Sequence, residues 1–118
     1  MKQMIFIPKL PPGLNGSKGL MRMHWAVYTK LKAKWAWLIK AERPKKHTGP
    51  VVVTYTRVST HKTDLDNVAA SFKVVGDALV QAGILPDDSP DVITQLNVSW
   101  EKAATKKEQG VRIVIADI

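Results

Sequence analysis

Carboxylates crowd one short stretch of an otherwise basic chain. Residues 64 to 91 hold six aspartates against a single base, Lys73. Asp64 and Asp66 stand in Asp64-Leu65-Asp66-Asn67, and Asp87 and Asp88 in Ile84-Leu85-Pro86-Asp87-Asp88-Ser89-Pro90. Extended backbone through the first motif would put Asp64 and Asp66 on one side and Leu65 on the other. Carboxylates held that close repel unless a cation lies between them. Magnesium suits such a site, since it prefers oxygen ligands and keeps several waters; manganese is the expected substitute. On a phosphodiester, such an ion activates a water, neutralises the phosphate and steadies the leaving oxygen. Lys73 precedes Asp77 by four residues, so the two can pair on one helical face. From there Lys73 could help neutralise a phosphate in the transition state.

Each motif also has a plain structural meaning. Asp-x-Asp-Asn before a helix is what capping plus a turn looks like, and Asp-Asp-Ser-Pro is an ordinary polar loop. Lys73 with Asp77 is then a surface ion pair worth less than about 1 kcal/mol. An EF-hand is excluded, because the acidic ladder, its glycine and its terminal glutamate are missing. His24, His47 and His61 lack zinc spacing and read as surface or loop histidines.

The rest of the charge is of the opposite sign. Residues 1 to 63 carry thirteen Lys or Arg against one acid, Glu42, and the whole chain has a formal net charge of +8. A basic body around one acidic patch makes sense if the body attracts a polyanion while the patch holds a metal against it. The absence of cysteine removes disulfides, thiol nucleophiles and cysteine zinc sites, and suits a reducing cytoplasm. No apolar run approaches the roughly 20 residues that a membrane span needs. Pro8 interrupts the N-terminus, which does not read as a signal peptide.

The elements that must position these residues follow from periodicity. At 118 residues the chain fits one domain, spanning 1–118. Met4 to Ile7 reads as a strand ended by Pro8, followed by a turn-rich loop from Pro11 to Gly19 that lacks phosphate-loop spacing. Trp25, Tyr28, Leu31, Trp35, Leu38 and Ile39 recur at helical spacing between His24 and Ala41, with Pro44 beyond. Trp25 and Trp35 belong to that stripe and to the core. Trp37 falls off it, and core or interface is a commoner fate for it than stacking on a base. Val51 to Val58 is the clearest strand. A second helix over 67–82 buries Val68, Phe72, Val75 and Leu79, with Asp66 or Asn67 as its cap and Gly83 at its end. Gly76 inside it marks a close approach. Strands near Val92 to Trp100 and Val111 to Ala116 enclose a lysine-rich stretch, which suggests a hairpin. The order β-α-β-α-β-β predicts an α+β domain with two helices on one mixed or antiparallel sheet. A helix of sixteen residues runs about 24 Å, so its ends are not neighbours. The Asp87-Asp88 pair can reach the first pair only by its loop folding back, or through a partner subunit.

Taken together, the motifs are more specific than any one of them. Asp64-Leu65-Asp66-Asn67, Lys73, Asp77-Ala78-Leu79, Gly83-Ile84 and Asp87-Asp88 resemble the signature of the RusA family of Holliday-junction resolvases. Leu10-Pro11-Pro12…Asn15 is similar to the family's N-terminal segment. The spacing from Asn67 to Lys73 is about one helical turn longer than in the best-known members and is nearer to the phage-type branch. A turn-sized insertion keeps the helical face nearly constant. The resemblance implies a homodimer of α+β subunits that cuts four-way DNA junctions at two metal-dependent sites, in recombination and repair. It implies Asp64, Asp66 and Asp88 as catalytic metal-binding carboxylates, Asp87 as a helper and Lys73 as the essential base. Lys30, Lys34, Lys45, Lys46, Lys62, Lys106 and Lys107 are candidates for phosphate contact. The alternatives are a junction-binding module of the same fold without catalysis, and a magnesium nuclease acting on other branched DNA.

Overall fold

A computed structural model describes residues 1–13, 19 and 23–118. Residues 14–18 of the turn-rich loop, Asn15 included, lie outside the described residues. The elements are β1 (Lys2–Ile7), α1 (Trp25–Ala41), β2 (Val51–Ser59), α2 (Leu65–Gln81), β3 (Ile93–Lys102) and β4 (Gly110–Asp117). They form an α+β domain in the expected β-α-β-α-β-β order, with the two helices packed on a four-stranded mixed sheet.

The sheet order is β1-β4-β2-β3. β4 pairs antiparallel with both β1 and β2, while β2 and β3 run parallel. Parallel neighbours require a crossover, and α2 supplies it between β2 and β3. The expected hairpin between β3 and β4 is therefore absent. β2 lies between those strands, and the lysine-rich segment carries a single 3₁₀ turn, Lys106–Glu108, on its way across.

Strand alternation decides which side chains meet the helices. Ile5, Ile7, Val51, Val53, Tyr55, Val111, Ile113 and Ile115 are buried in one cluster with Trp35, Ile39, Val68, Phe72, Val75 and Leu79. On the opposite face Val52, Thr54, Val114 and Ala116 are only half-buried. A buried hydrogen bond of 2.9 Å joins Tyr55 to Ser71 and ties β2 to α2. Burial pushes the Tyr55 hydroxyl up to about 12, so it stays protonated.

One detail of α1 departs from expectation. Trp35 is 2% exposed, as its place in the stripe requires, but Trp25 is 72% exposed. Trp25 opens the helix and overhangs the end of the core. His24 precedes it as the N-cap, its Nδ1 accepting from the Ala26 N–H at 3.2 Å. Past the last turn, Arg43 takes a left-handed φ of 51°, just before Pro44.

α2 begins two residues earlier than its periodicity suggests. Asp64 occupies the N-cap position without a side-chain capping bond, so neither Asp66 nor Asn67 is the cap. The predicted stripe is buried in full. A Cβ at Gly76 would stand 3.1 Å from the Phe72 ring, which is the close approach expected there. Gly83 ends the segment with a φ of +77°.

His47 is buried, not a surface histidine. Its Nδ1 lies 2.6 Å from Asp117 Oδ1 and its Nε2 lies 2.8 Å from Gln3 Nε2. Gln3 is itself clamped to the Lys45 backbone, donating to the Lys45 carbonyl and accepting from its N–H. Among the described residues, no helix is long and apolar enough to cross a membrane.

Candidate functional site

The β2-α2-β3 crossover dictates where the aspartates fall. Asp64 follows β2 and opens α2, which runs back along the sheet towards the start of β3. Asp87 and Asp88 lie in the loop before β3, at the other end of the helix. Thirteen residues of helix separate Asp64 from Asp77, about 20 Å along the axis. The return loop does not fold back to the first motif. It brings Asp88 to Asp77.

At that end four side chains converge from two helices and a loop. The Tyr28 hydroxyl of α1 donates a hydrogen bond to Asp77 Oδ2 of α2. Lys73 Nζ stands 3.7 Å from the same oxygen, the expected i to i+4 pair, and 6.0 Å from the centre of the Tyr28 ring. A side-chain hydrogen bond with Asp77, together with burial and the Asp77 charge, raises the Asp88 pKa above the ordinary carboxylate value. The Asp77 carboxylate thus disfavours ionisation of Asp88 beside it. Burial and the bond to Asp77 push the Tyr28 hydroxyl far up, which leaves it a permanent donor.

Asp64 and Asp66 do not stand side by side. The backbone is already helical at Leu65, and two residues along a helix turn about 200°, so the alternation expected of an extended chain does not apply. Both are exposed. Asp66 Oδ1 accepts from the Asn67 N–H, and Asp64 makes no capping bond. Among the described residues, no group of three or more His, Cys, Asp or Glu is placed to hold a metal ion. Within one chain the predicted cluster of Asp64, Asp66, Asp87 and Asp88 is divided, with Asp64 and Asp66 at the start of α2 and Asp87 and Asp88 beyond its end, where Asp88 meets Asp77. Asp87 is exposed beside the second, its Oδ1 accepting from the Asp88 N–H.

Both sites border α2 where it meets the edge strand β3. A cleft of about 280 Å³ is lined by Phe72, Lys73, Gly76, Asp77, Asp88, Pro90, Ile93 and Leu96. A second, of about 430 Å³, is lined by Lys62, Thr63, Asp64, Leu65 and Val98 to Trp100. A larger cavity of about 780 Å³ lies elsewhere, between the Leu10-Pro11-Pro12 segment and α1. Its lining is mostly apolar, apart from His24 and from Arg57, which donates to the Pro11 carbonyl at 3.0 Å. It contains no carboxylate and is not the acidic site.

The predicted phosphate-contacting lysines are all exposed. Lys30 and Lys34 lie on α1, Lys45 and Lys46 on the turn before β2, Lys62 beside Asp64, and Lys106 and Lys107 on the 3₁₀ turn. Sequence reasoning missed two members of the acidic site. Tyr28 sits in the apolar stripe of α1 and gives no sign that its hydroxyl reaches a carboxylate. Asp77 was read as the partner of Lys73 and as part of the RusA-like signature, but not as a neighbour of Asp88. No protein-family model and no curated protein matches this chain.

Proposed function

We propose that this protein is a magnesium-dependent, structure-selective endonuclease of the RusA type, acting on four-way DNA junctions. The observation that carries the reading is the Asp77–Asp88 pair, with Lys73 beside it, set in a chain of net charge +8. Two neighbouring carboxylates, offering only oxygen donors, suit an ion that takes one or two carboxylates, keeps its waters and accepts a phosphate oxygen. Asp77 and Asp88 would hold that ion. Once bound, it supplies an activated water and neutralises charge on the scissile phosphate. Tyr28 orients Asp77 by donating to Oδ2, and Lys73 adds a positive charge where a phosphate would approach. The surrounding lysines hold the DNA backbone, which positions the substrate and reads little sequence.

In this reading Asp64 and Asp66 serve in trans. Since the loop of one chain takes Asp88 to Asp77, a homodimer is the remaining way to complete the cluster foreseen from the sequence. The opposing reading is a junction-binding module without catalysis, and the separation of the two acidic pairs within one chain favours it. Cleavage of a labelled four-way junction with magnesium, comparing wild type with Asp66→Asn, separates the two readings. Paired symmetric nicks, absent from linear duplex and lost in the variant while binding survives, are the expected result. Tight binding without cutting by either protein would leave the binding module.

A further inference from the structure

α1 carries a second surface, turned away from the acidic site. Trp37 is 68% exposed on the face opposite buried Trp35 and Ile39. Lys34 lies one turn before it, Lys40 one turn after, and Lys30 two turns before, so the three lysines line the helix face that Trp37 occupies. All three are exposed, and among the described residues none is in an ion pair. No acid occurs anywhere from residue 1 to 41. A large apolar ring left in water and flanked by unpaired cations is poorly suited to an apolar protein surface, since docking there would desolvate the lysines. It suits a ligand with flat aromatic groups strung on a polyanion. We propose that this face binds unpaired nucleotides of single-stranded DNA, with a base stacked on Trp37 and neighbouring phosphates on Lys30, Lys34 and Lys40. The inference rests on the nucleic-acid part of the reading above and not on its cleavage chemistry.

Trp25 lies about 18 Å along the same helix and about 120° around it, so a Trp25→Phe background leaves Trp37 as the exposed tryptophan, beside buried Trp35 and half-buried Trp100. Titrating that full-length protein with a short oligothymidylate should quench its emission, and adding Trp37→Phe should remove the response. In direct binding assays, Trp37→Ala should weaken the oligothymidylate complex about 5- to 150-fold, the range that a lost base stack implies. Lys34→Ala should reduce the slope of log affinity against log salt by about 0.7, as loss of one single-strand phosphate contact requires. Unchanged affinity in Trp37→Ala would overturn the proposal. So would equal quenching by inorganic polyphosphate, which has no bases, or emission that follows protein concentration and ignores DNA, which would make this face a contact between copies. Junction cleavage that survives with oligothymidylate binding unaltered in Trp37→Ala overturns this inference alone. Quenching that persists in a protein unable to cut overturns only the nuclease.

Discussion

Tyr28 of α1 and Asp77 of α2 join the two helices through a hydrogen bond from the phenol to Asp77 Oδ2. The same oxygen faces Lys73 at 3.7 Å, so the bond fixes which way the carboxylate points. Replacing Tyr28 by Phe keeps the ring in the helix interface and removes only the hydroxyl. Stability should fall by about 1 kcal/mol, the net worth of a hydrogen bond to a half-buried group. If Asp77 holds a metal, the midpoint for magnesium activation should also rise. Urea denaturation and a magnesium titration of cleavage measure the two effects separately. A stability loss with no change in the magnesium midpoint would confine Tyr28 to packing.

The Asp77–Asp88 pair gives a pH dependence of definite sign. The folded-state pKa of Asp88 is raised, so its contribution to stability is fully present below the unfolded carboxylate value and is lost as pH rises through the folded one. At neutral pH the pair is a source of repulsion. Asp88→Asn should therefore raise the melting temperature at pH 7 more than at pH 3. Magnesium should stabilise wild type at pH 7 and do so less in the variant. Thermal melts at both pH values, with and without the ion, test this. Equal shifts at the two pH values would show that Asp77 does not disfavour the Asp88 carboxylate.

The fold was legible because its signals are local. The stripe of Val68, Phe72, Val75 and Leu79 defines α2, and β-branched residues from Val51 onwards define β2. The sheet order was not legible, since pairing of β4 with β2 depends on contacts between residues some sixty apart, such as Val53 with Ile115. That non-local pairing also removed the expected hairpin. Exposed Trp25 shows a different limit: periodicity gives the face of a helix but not where the core ends along it. For the candidate site, the residue types were visible and their grouping was not. Asp64-Leu65-Asp66 reads as an extended triplet, but the helix starts at Leu65, and about half a turn of winding separates the two carboxylates. Asp88 required the length and direction of α2 before its neighbour could be named.

Buried His47 holds the α1–β2 turn against the end of the sheet. Gln3 Nε2 is an amide donor, its orientation set by the Lys45 backbone, so His47 Nε2 must accept and Nδ1–H donates to Asp117. Met1 N adds a contact of 3.2 Å to Asp117 Oδ2. Hydrogen bonds from His47 and the N-terminus lower the Asp117 pKa. Its contribution is present above the unfolded value and is lost as pH falls through the depressed one. Asp117→Asn should therefore flatten the acid limb of the stability curve. His47→Ala, which strands Gln3 and leaves a void, should cost about 1–3 kcal/mol. Urea midpoints between about pH 2 and 7, which bracket the ordinary carboxylate range, give both results. An acid limb in Asp117→Asn as steep as that of wild type would sink the assignment.

Gly110 opens β4 directly beneath the end of β1. A Cβ there would lie 2.3 Å from the Ile7 carbonyl oxygen and 2.6 Å from the Phe6 ring. The ring can move but the carbonyl belongs to a strand paired with β4, so Gly110→Ala must shift backbone. The expected cost is about 1–3 kcal/mol, as for other overpacked sites, and urea denaturation would show it. Gly49, with open space at its Cβ position, is the control, and Gly49→Ala should change stability little.

The assembly of the acidic cluster between subunits can be tested without a structure of the complex. Asp66→Asn and Asp88→Asn should each abolish junction cleavage when assayed alone. If Asp66 of one subunit works with Asp88 of the other, a mixed dimer of the two variants contains one site with both residues intact and one site lacking both. Mixing the inactive variants under conditions that exchange subunits should then restore cleavage. The restored activity should nick one strand of the junction at a time, because only one site of each mixed dimer is complete. If both residues instead serve the site of their own subunit, every site in the mixture lacks one carboxylate and no activity returns. Native mass spectrometry of the mixture confirms exchange, so a silent assay cannot be blamed on subunits that failed to mix. Recovery of cleavage would tie the two separated acidic pairs of one chain into a single catalytic unit.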